Sequence, residues 1–323
     1  MKKIILNCGY LNERGTSVAI YDYAYYLREY LNFEPIIIFS DNTNPPSAGP
    51  GTLKEAIDHF EEQFKCIPYS NTNEIQKIIN QIRPDYFYWL KHGQKDNIIL
   101  DNIKTLIHSV FCSDLSEKHG DVYAVISEWM SAESNYQLPY VPHMVNLPSH
   151  NEDIRKEIGI PDSHVVIGRT GGDDNFDIPF VFNVIERVLQ KRNDIWFVLM
   201  NTPNSFRHER CFYVDRNVDL NDKVTYINTC DAMLHARILG ETFGLSILEF
   251  ASKNKQIISC SRNEIHHKNH FLYLKDNFHK YQDANDLENI LLNITRENPF
   301  DTNYLNEMFS SENVMKKFNE VFL

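Results

Sequence analysis

The chain has 323 residues, 42% hydrophobic and 24% charged, which suits a folded protein of two domains and excludes a disordered chain. Lys and Arg total 32 against 44 Asp and Glu, a net −12, so nonspecific binding to nucleic acid or anionic lipid is disfavoured while a local basic cleft for a phosphate stays open. No run of apolar residues is long enough to span a bilayer, and the six scattered cysteines, without a C-x-x-C pair, suit reduced thiols in a cytoplasmic protein better than a zinc site or disulfides.

Short apolar runs alternate with amphipathic stretches, the pattern of a parallel sheet covered by helices. The first half reads as a strand at Lys3–Cys8, a polar loop at Gly9–Thr16, a helix at Ser17–Leu31 and a strand at Pro35–Ser40. Asp41–Gly51, rich in Pro and Gly, is a loop. Leu53–Phe64 and Glu74–Gln81 are helical; Asp85–Leu90, Thr105–Phe111 and Val122–Ile126 are strands. Leu138–Ser149 carries Pro139, Pro142 and Pro148 and reads as an extended linker. The alternation then restarts. A helix at Glu152–Ile158 ends at Gly159, followed by a strand at His164–Gly168, a helix at Pro179–Gln190 and a strand at Trp196–Met200. Asp231–Ala236 is short and apolar, Gly244–Lys253 a helix, Gln256–Cys260 a strand, and Asn285–Ile294 and Asn303–Phe322 closing helices. The fold class is therefore α/β, in two halves, 1–147 and 148–323, joined by a Pro-rich hinge with a cleft between them. Ligands are expected at the carboxyl ends of the strands.

The stretch Asp231–Phe250 carries the most chemistry. A buried strand runs into a loop, and a helix begins near Thr242–Gly244, where free amides form an anion site that Gly244 lets a ligand approach. Glu241 sits just outside that N-terminus and Glu249 about two turns further on. Carboxylates on either side of an anion site suit a ligand with hydroxyls flanking a diphosphate.

Glu241-x7-Glu249 enclosing Phe243-Gly244-Leu245-Ser246-Ile247-Leu248 resembles the donor-site signature of family 4 of retaining glycosyltransferases, enzymes of the two-Rossmann fold called GT-B. Three more segments resemble that family in order: Asp121–Glu128 its "ADxVxAVSE" strand, Val141–Asn146 its "IPNGVD" stretch, and Ile158–Pro161 with Val165–Arg169 its "LGIP…VGR" start of the second domain. The resemblance covers residues 121–252 and is only topological before that. It implies that the two halves are facing Rossmann-like domains, with the last helix packing back on the first. It also implies a retaining, metal-independent transfer of a sugar from a nucleotide-diphosphate sugar, UDP or GDP linked, to a glycan, lipid or protein acceptor, without a cofactor. It assigns Arg169 and the amides of Thr242, Phe243, Gly244 and Leu245 to the diphosphate, Glu241 to the donor sugar and Glu249 to the ribose. It places His108 near the donor sugar or acceptor, against the alternative of a core histidine, with His92 as competitor. Gly15 matches the family's glycine-rich first loop. Peripheral contact with a membrane stays open.

One departure stands out: Asp174 occupies the position where the family usually has a phosphate-binding Lys, and Arg237, Arg262 and Lys268 are the substitutes within reach. That loss allows a non-catalytic sugar- or nucleotide-binding subunit as an alternative, and a nucleotide-sugar epimerase, which would share the fold and need no separate acceptor, is the other. Asp173–Asp177 reads as a solvated acidic loop rather than a metal site, and His266, His267 and His270 as a surface loop. The tyrosines of Tyr21–Tyr26 read as a helix face.

Overall fold

A computed structural model describes residues 1–45, 51–215 and 218–323. The chain divides into two compact units, Met1–Asn146 with Phe309–Leu323, and Leu147–Met308.

The first unit runs β1 (Lys2–Asn7), α1 (Gly15–Leu31), β2 (Phe33–Ser40), α2 (Lys54–Glu61), β3 (Lys65–Tyr69), α3 (Asn73–Ile82), β4 (Tyr86–Lys91), β5 (Lys104–Ser109), β6 (Val122–Val125) and α4 (Glu128–Glu133). Its six strands lie in the order β3-β2-β1-β4-β5-β6, every pair parallel. Ile4, Ile5 and Leu6 in β1 and Ile36, Ile37 and Ile38 in β2 are all buried. Helices cover both faces of such a sheet, so central strands read as unbroken apolar runs rather than alternating ones.

The second unit runs β7 (Val165–Arg169), α5 (Val181–Lys191), β8 (Ile195–Met200), β9 (Cys211–Val214), α6 (Leu220–Thr229), β10 (Ala232–His235), β11 (Gly240–Glu241), α7 (Leu245–Ser252), β12 (Gln256–Cys260), β13 (His267–Lys268), α8 (Asn269–Leu274), β14 (His279–Tyr281), α9 (Ala284–Asn293) and α10 (Tyr304–Met308). Its main sheet has the order β14-β12-β10-β7-β8-β9, and β11 pairs with β13 apart from it. Counted within the unit, this is the same strand order as in the first. α5 buries Val181, Val184, Ile185 and Val188 at helical spacing against that sheet.

α11 (Ser311–Phe322) returns to the first unit, where Phe318 and Phe322 pack on Tyr88. The closing helix expected at Asn303–Phe322 is thus two helices. The break comes at Ser310, whose hydroxyl accepts from the Asn313 amide and caps α11. The helix expected at Glu152–Ile158 is a single turn. Arg155 there is buried and donates to the carbonyls of Thr229 and His164 and to Asp231, which ties the segment to the sheet. Of the loop expected at Asp41–Gly51, residues 46–50 lie outside the described residues. No described helix is long and apolar enough to cross a membrane.

Candidate functional site

In each sheet the strand order reverses once, between β1 and β4 and between β7 and β10. Open α/β sheets bind ligands outside the carboxyl ends of the strands at that point. In the second unit those ends are Arg169 and His235, and the chain leaving His235 leads straight to Glu241 and α7.

Two glycines shape this turn. Gly240 has φ +70, and a Cβ there would meet the His267 carbonyl oxygen at 2.1 Å, because β11 lies against β13. Gly244, with φ +89, caps α7, and a Cβ would meet Tyr273 Oη at 2.6 Å. No side chain caps α7, so its first amides have neither an intrahelical acceptor nor a capping oxygen. Thr242 and Phe243 are buried beneath the turn.

Glu241 accepts from His235 Nε2 at 3.2 Å and from Arg237 Nη1 at 3.1 Å. Burial pushes its carboxyl up, but the His235 hydrogen bond and the charges of Arg237, His235 and His270 outweigh that and hold it at about 2. It is therefore an anion and a pure hydrogen-bond acceptor at neutral pH. Glu249, on the second turn of α7, is 1% exposed. Its Oε1 accepts from Lys223 Nζ on α6, while its Oε2 is buried without a hydrogen-bond partner. An unpaired buried carboxylate oxygen is costly, since it has given up water without a replacement donor.

Arg169 ends β7 at 2% exposure. Its Nη1 donates to the carbonyls of Met200 (3.1 Å) and Asn201 (2.6 Å) and to Thr202 Oγ1 (3.0 Å), and its Nη2 donates to the Gly172 carbonyl. Burial lowers it to about 10, partly offset by Tyr226 and by the charges of Asp173, Asp174 and Glu241. The guanidinium knits the loops after β7 and β8 together and carries a buried positive charge whose hydrogen bonds all go to neutral oxygens. Its Nη1 and Nη2 are thus engaged by the protein itself and present no free fork. Asp174 is exposed, as is Asp173. Of the expected substitute cations, Arg237 pairs with Glu241, Arg262 pairs with Glu264, and Lys268 lies in β13 opposite Glu241.

Sequence reasoning missed four residues here. Lys223 sits mid-helix among polar neighbours and carries no sequence signal. His235 and Ser259 do carry one, since each is polar near the carboxyl end of an otherwise apolar strand. They are register partners, bonded through His235 Nδ1 and Ser259 Oγ at 3.0 Å. His270, expected in a surface loop, is instead fully buried on α8, with Nε2 3.2 Å from Ser259 Oγ. Burial, then the charge of His235, holds it well below the usual histidine range.

In the first unit, Gly15 is exposed and opens α1 after the β1 loop. His108 lies near the carboxyl end of β5 but points into the core. It is 0% exposed in β5, its Nδ1 lies 2.6 Å from Tyr88 Oη, and its Nε2 is within bonding distance of the Val141 and Val125 carbonyls. Burial lowers it to about 3. The core reading describes this histidine better than contact with substrate, because the parallel sheet is covered on that face. His92 is exposed after β4 and stacks on Phe111 at 5.2 Å. Tyr23 is core, and Tyr21 packs on His59, Phe60 and Phe64.

No family model matches this chain, and no curated protein matches it in sequence. Solved structures do match over nearly its whole length. HepE of Anabaena, in complex with UDP and glucose, matches with a TM-score of 0.72 at 10% identity, over 99% of each chain. The fold is GT-B. A glycosyltransferase of Rickettsia africae matches with a TM-score of 0.68 at 15% identity, over 99% of this chain and 97% of the other. An enzyme described as a putative UDP-N-acetylglucosamine 2-epimerase of Listeria monocytogenes matches with 0.59 at 12% identity, over 95% and 94%.

Proposed function

We propose that this GT-B chain is a glycosyltransferase that takes its sugar from a nucleotide-diphosphate donor, with UDP as the nucleotide. The observation that carries the reading is Glu249: a buried carboxylate with one oxygen on Lys223 and the other unpartnered, one turn beyond uncapped helix amides. A ribose hydroxyl supplies the missing donor, and the amides of Gly244 and Leu245 supply the diphosphate's. The bound UDP of HepE supports the choice of nucleotide. The buried charge of Arg169 stabilises the negative charge that builds on the leaving diphosphate, and helix amides and a fixed cation do so without a metal. Glu241, ionised and braced from two sides, accepts from the donor sugar's hydroxyls. On the resemblance of Glu241–Glu249 to the retaining donor-site signature, we read the transfer as retaining, by same-face displacement: the acceptor oxygen bonds to the anomeric carbon as its bond to the diphosphate breaks, and the leaving phosphate takes the acceptor proton. Glycan, lipid and protein acceptors all fit this scheme.

The test is UDP release from UDP-glucose and UDP-N-acetylglucosamine. Slow release into water, lost in Glu241→Ala and Glu249→Ala, is the expected result. Tight UDP binding with no release from either sugar would favour a binding subunit, and interconversion of UDP-N-acetylglucosamine with its 2-epimer would favour an epimerase.

A further inference from the structure

Glu241 is the end of a chain of side chains drawn from four elements, β11, β10, β12 and α8. Glu241 Oε1 meets His235 Nε2 at 3.2 Å, His235 Nδ1 meets Ser259 Oγ at 3.0 Å, and Ser259 Oγ meets His270 Nε2 at 3.2 Å. The last atom, His270 Nδ1, is buried and has no partner. These contacts fix the protons. The carboxylate only accepts, so His235 Nε2 holds a hydrogen. Run in one direction, Ser259 donates to His235 Nδ1 and His270 Nε2–H donates to Ser259. The bare Nδ1 of His270 is left over as an unpaired acceptor. The reverse direction would leave an unpaired N–H donor in the core, which is the costlier orphan.

α8 also holds the turn beside Glu241. Asn269 Nδ2 donates to the Phe243 carbonyl at 3.0 Å and Tyr273 Oη to the Gly244 carbonyl at 3.1 Å. Tyr281 Oη donates to the His235 carbonyl at 3.0 Å, fixing the backbone that carries the imidazole. Residues 269, 270 and 273 of one short helix thus brace both the uncapped amides and the carboxylate.

We propose that Ser259 and His270 are positioning residues that act through His235, locking Glu241 in the orientation that receives the donor sugar; this rests on the transferase reading above. Neither residue reaches the α7 amides or Glu249, so their loss should leave UDP affinity intact and fall on turnover of the UDP-sugar.

The experiment uses the full chain in four forms: wild type, Ser259→Ala, His270→Phe, and His270→Gln, whose amide can still donate to Ser259. Ser259→Ala should keep the wild-type Kd for UDP and lower kcat for UDP release roughly tenfold, the scale of losing a residue that orients a functional group, with little change in KM. His270→Gln should keep most of the activity, and His270→Phe, which cannot donate, should lose as much as Ser259→Ala. With nitrogen-15 histidine, wild type should show the Nε2–H form at both His235 and His270, and Ser259→Ala should shift His235. Unchanged kcat in Ser259→Ala, or a proton on Nδ1 of His270, overturns the proposal. A wild type that neither binds UDP nor releases it would instead overturn the transferase reading, while the histidine spectrum would still report the chain's direction.

Discussion

Replacing Lys223 by Met isolates what the Glu249 pair does for the fold. The carboxylate is 1% exposed and its second oxygen is already unpartnered, so the substitution strips it of its one cation. Removing one member of a buried ion pair costs about 3–5 kcal/mol; the Lys223 side chain is 15% exposed, so water softens the loss toward about 3 kcal/mol. For a unit of this size that is a fall of roughly 6–12 °C in the unfolding midpoint. Adding Glu249→Gln removes the stranded charge and should restore at least about 2 kcal/mol, since a neutral amide is far cheaper to bury. Scanning calorimetry of the single and double variants reads both numbers. A Lys223→Met protein within about 0.5 kcal/mol of wild type, or a double variant no more stable than the single, would refute the reasoning.

Glu241, held at about 2 instead of the ordinary 4.5, contributes stability that is present above pH 4.5 and is lost as pH falls toward 2. The loss should total about 3 kcal/mol and be absent in Glu241→Gln, read by denaturant titration across that window. His108, neutral in the core to about pH 3, works from the other side: the unfolded chain takes a proton near pH 6.5, so stability falls as pH drops from 6.5 toward 3. His143 beside it, also held low by burial, adds to that slope. His108→Gln should reduce it by about 1.4 kcal/mol per pH unit while leaving UDP affinity unchanged. Gly244→Ala forces a side chain into the left-handed region against Tyr273 and should cost about 2 kcal/mol together with most of the UDP affinity, measured by unfolding and by titration.

The central strands were legible because they are buried on both faces, so β1, β2, β4, β7, β8, β10 and β12 stand out as apolar runs. Strands β3, β9 and β14 were missed, and all three are sheet edges. Each has one neighbour, needs less apolar surface, and β3 even carries Pro68, which an edge tolerates. α6 was missed because its apolar face is only Val224, Tyr226 and Ile227 among polar residues. At the site, Glu241, Gly244 and Glu249 were readable because a helix N-terminus, a glycine and two carboxylates lie within nine residues of sequence. Their partners were not: Lys223 and His270 come from other elements and join the site only through the fold, while His235 and Ser259, polar near the ends of apolar strands, carried a signal that was passed over. His108 misled for the opposite reason: a histidine near a strand's carboxyl end looks like a site residue until its neighbours Tyr88, Val125 and Val141 are seen to enclose it.

The most direct test of the account is a thermal-shift comparison of UDP with GDP, ADP and CMP on the wild type and on Glu249→Ala. Ligand at a hundredfold excess over Kd adds about 2.7 kcal/mol to the native state, so binding is plain to see. The account predicts a clear rise with UDP that disappears in Glu249→Ala. No rise with any of the four, or a UDP shift that survives the loss of Glu249, would contradict it.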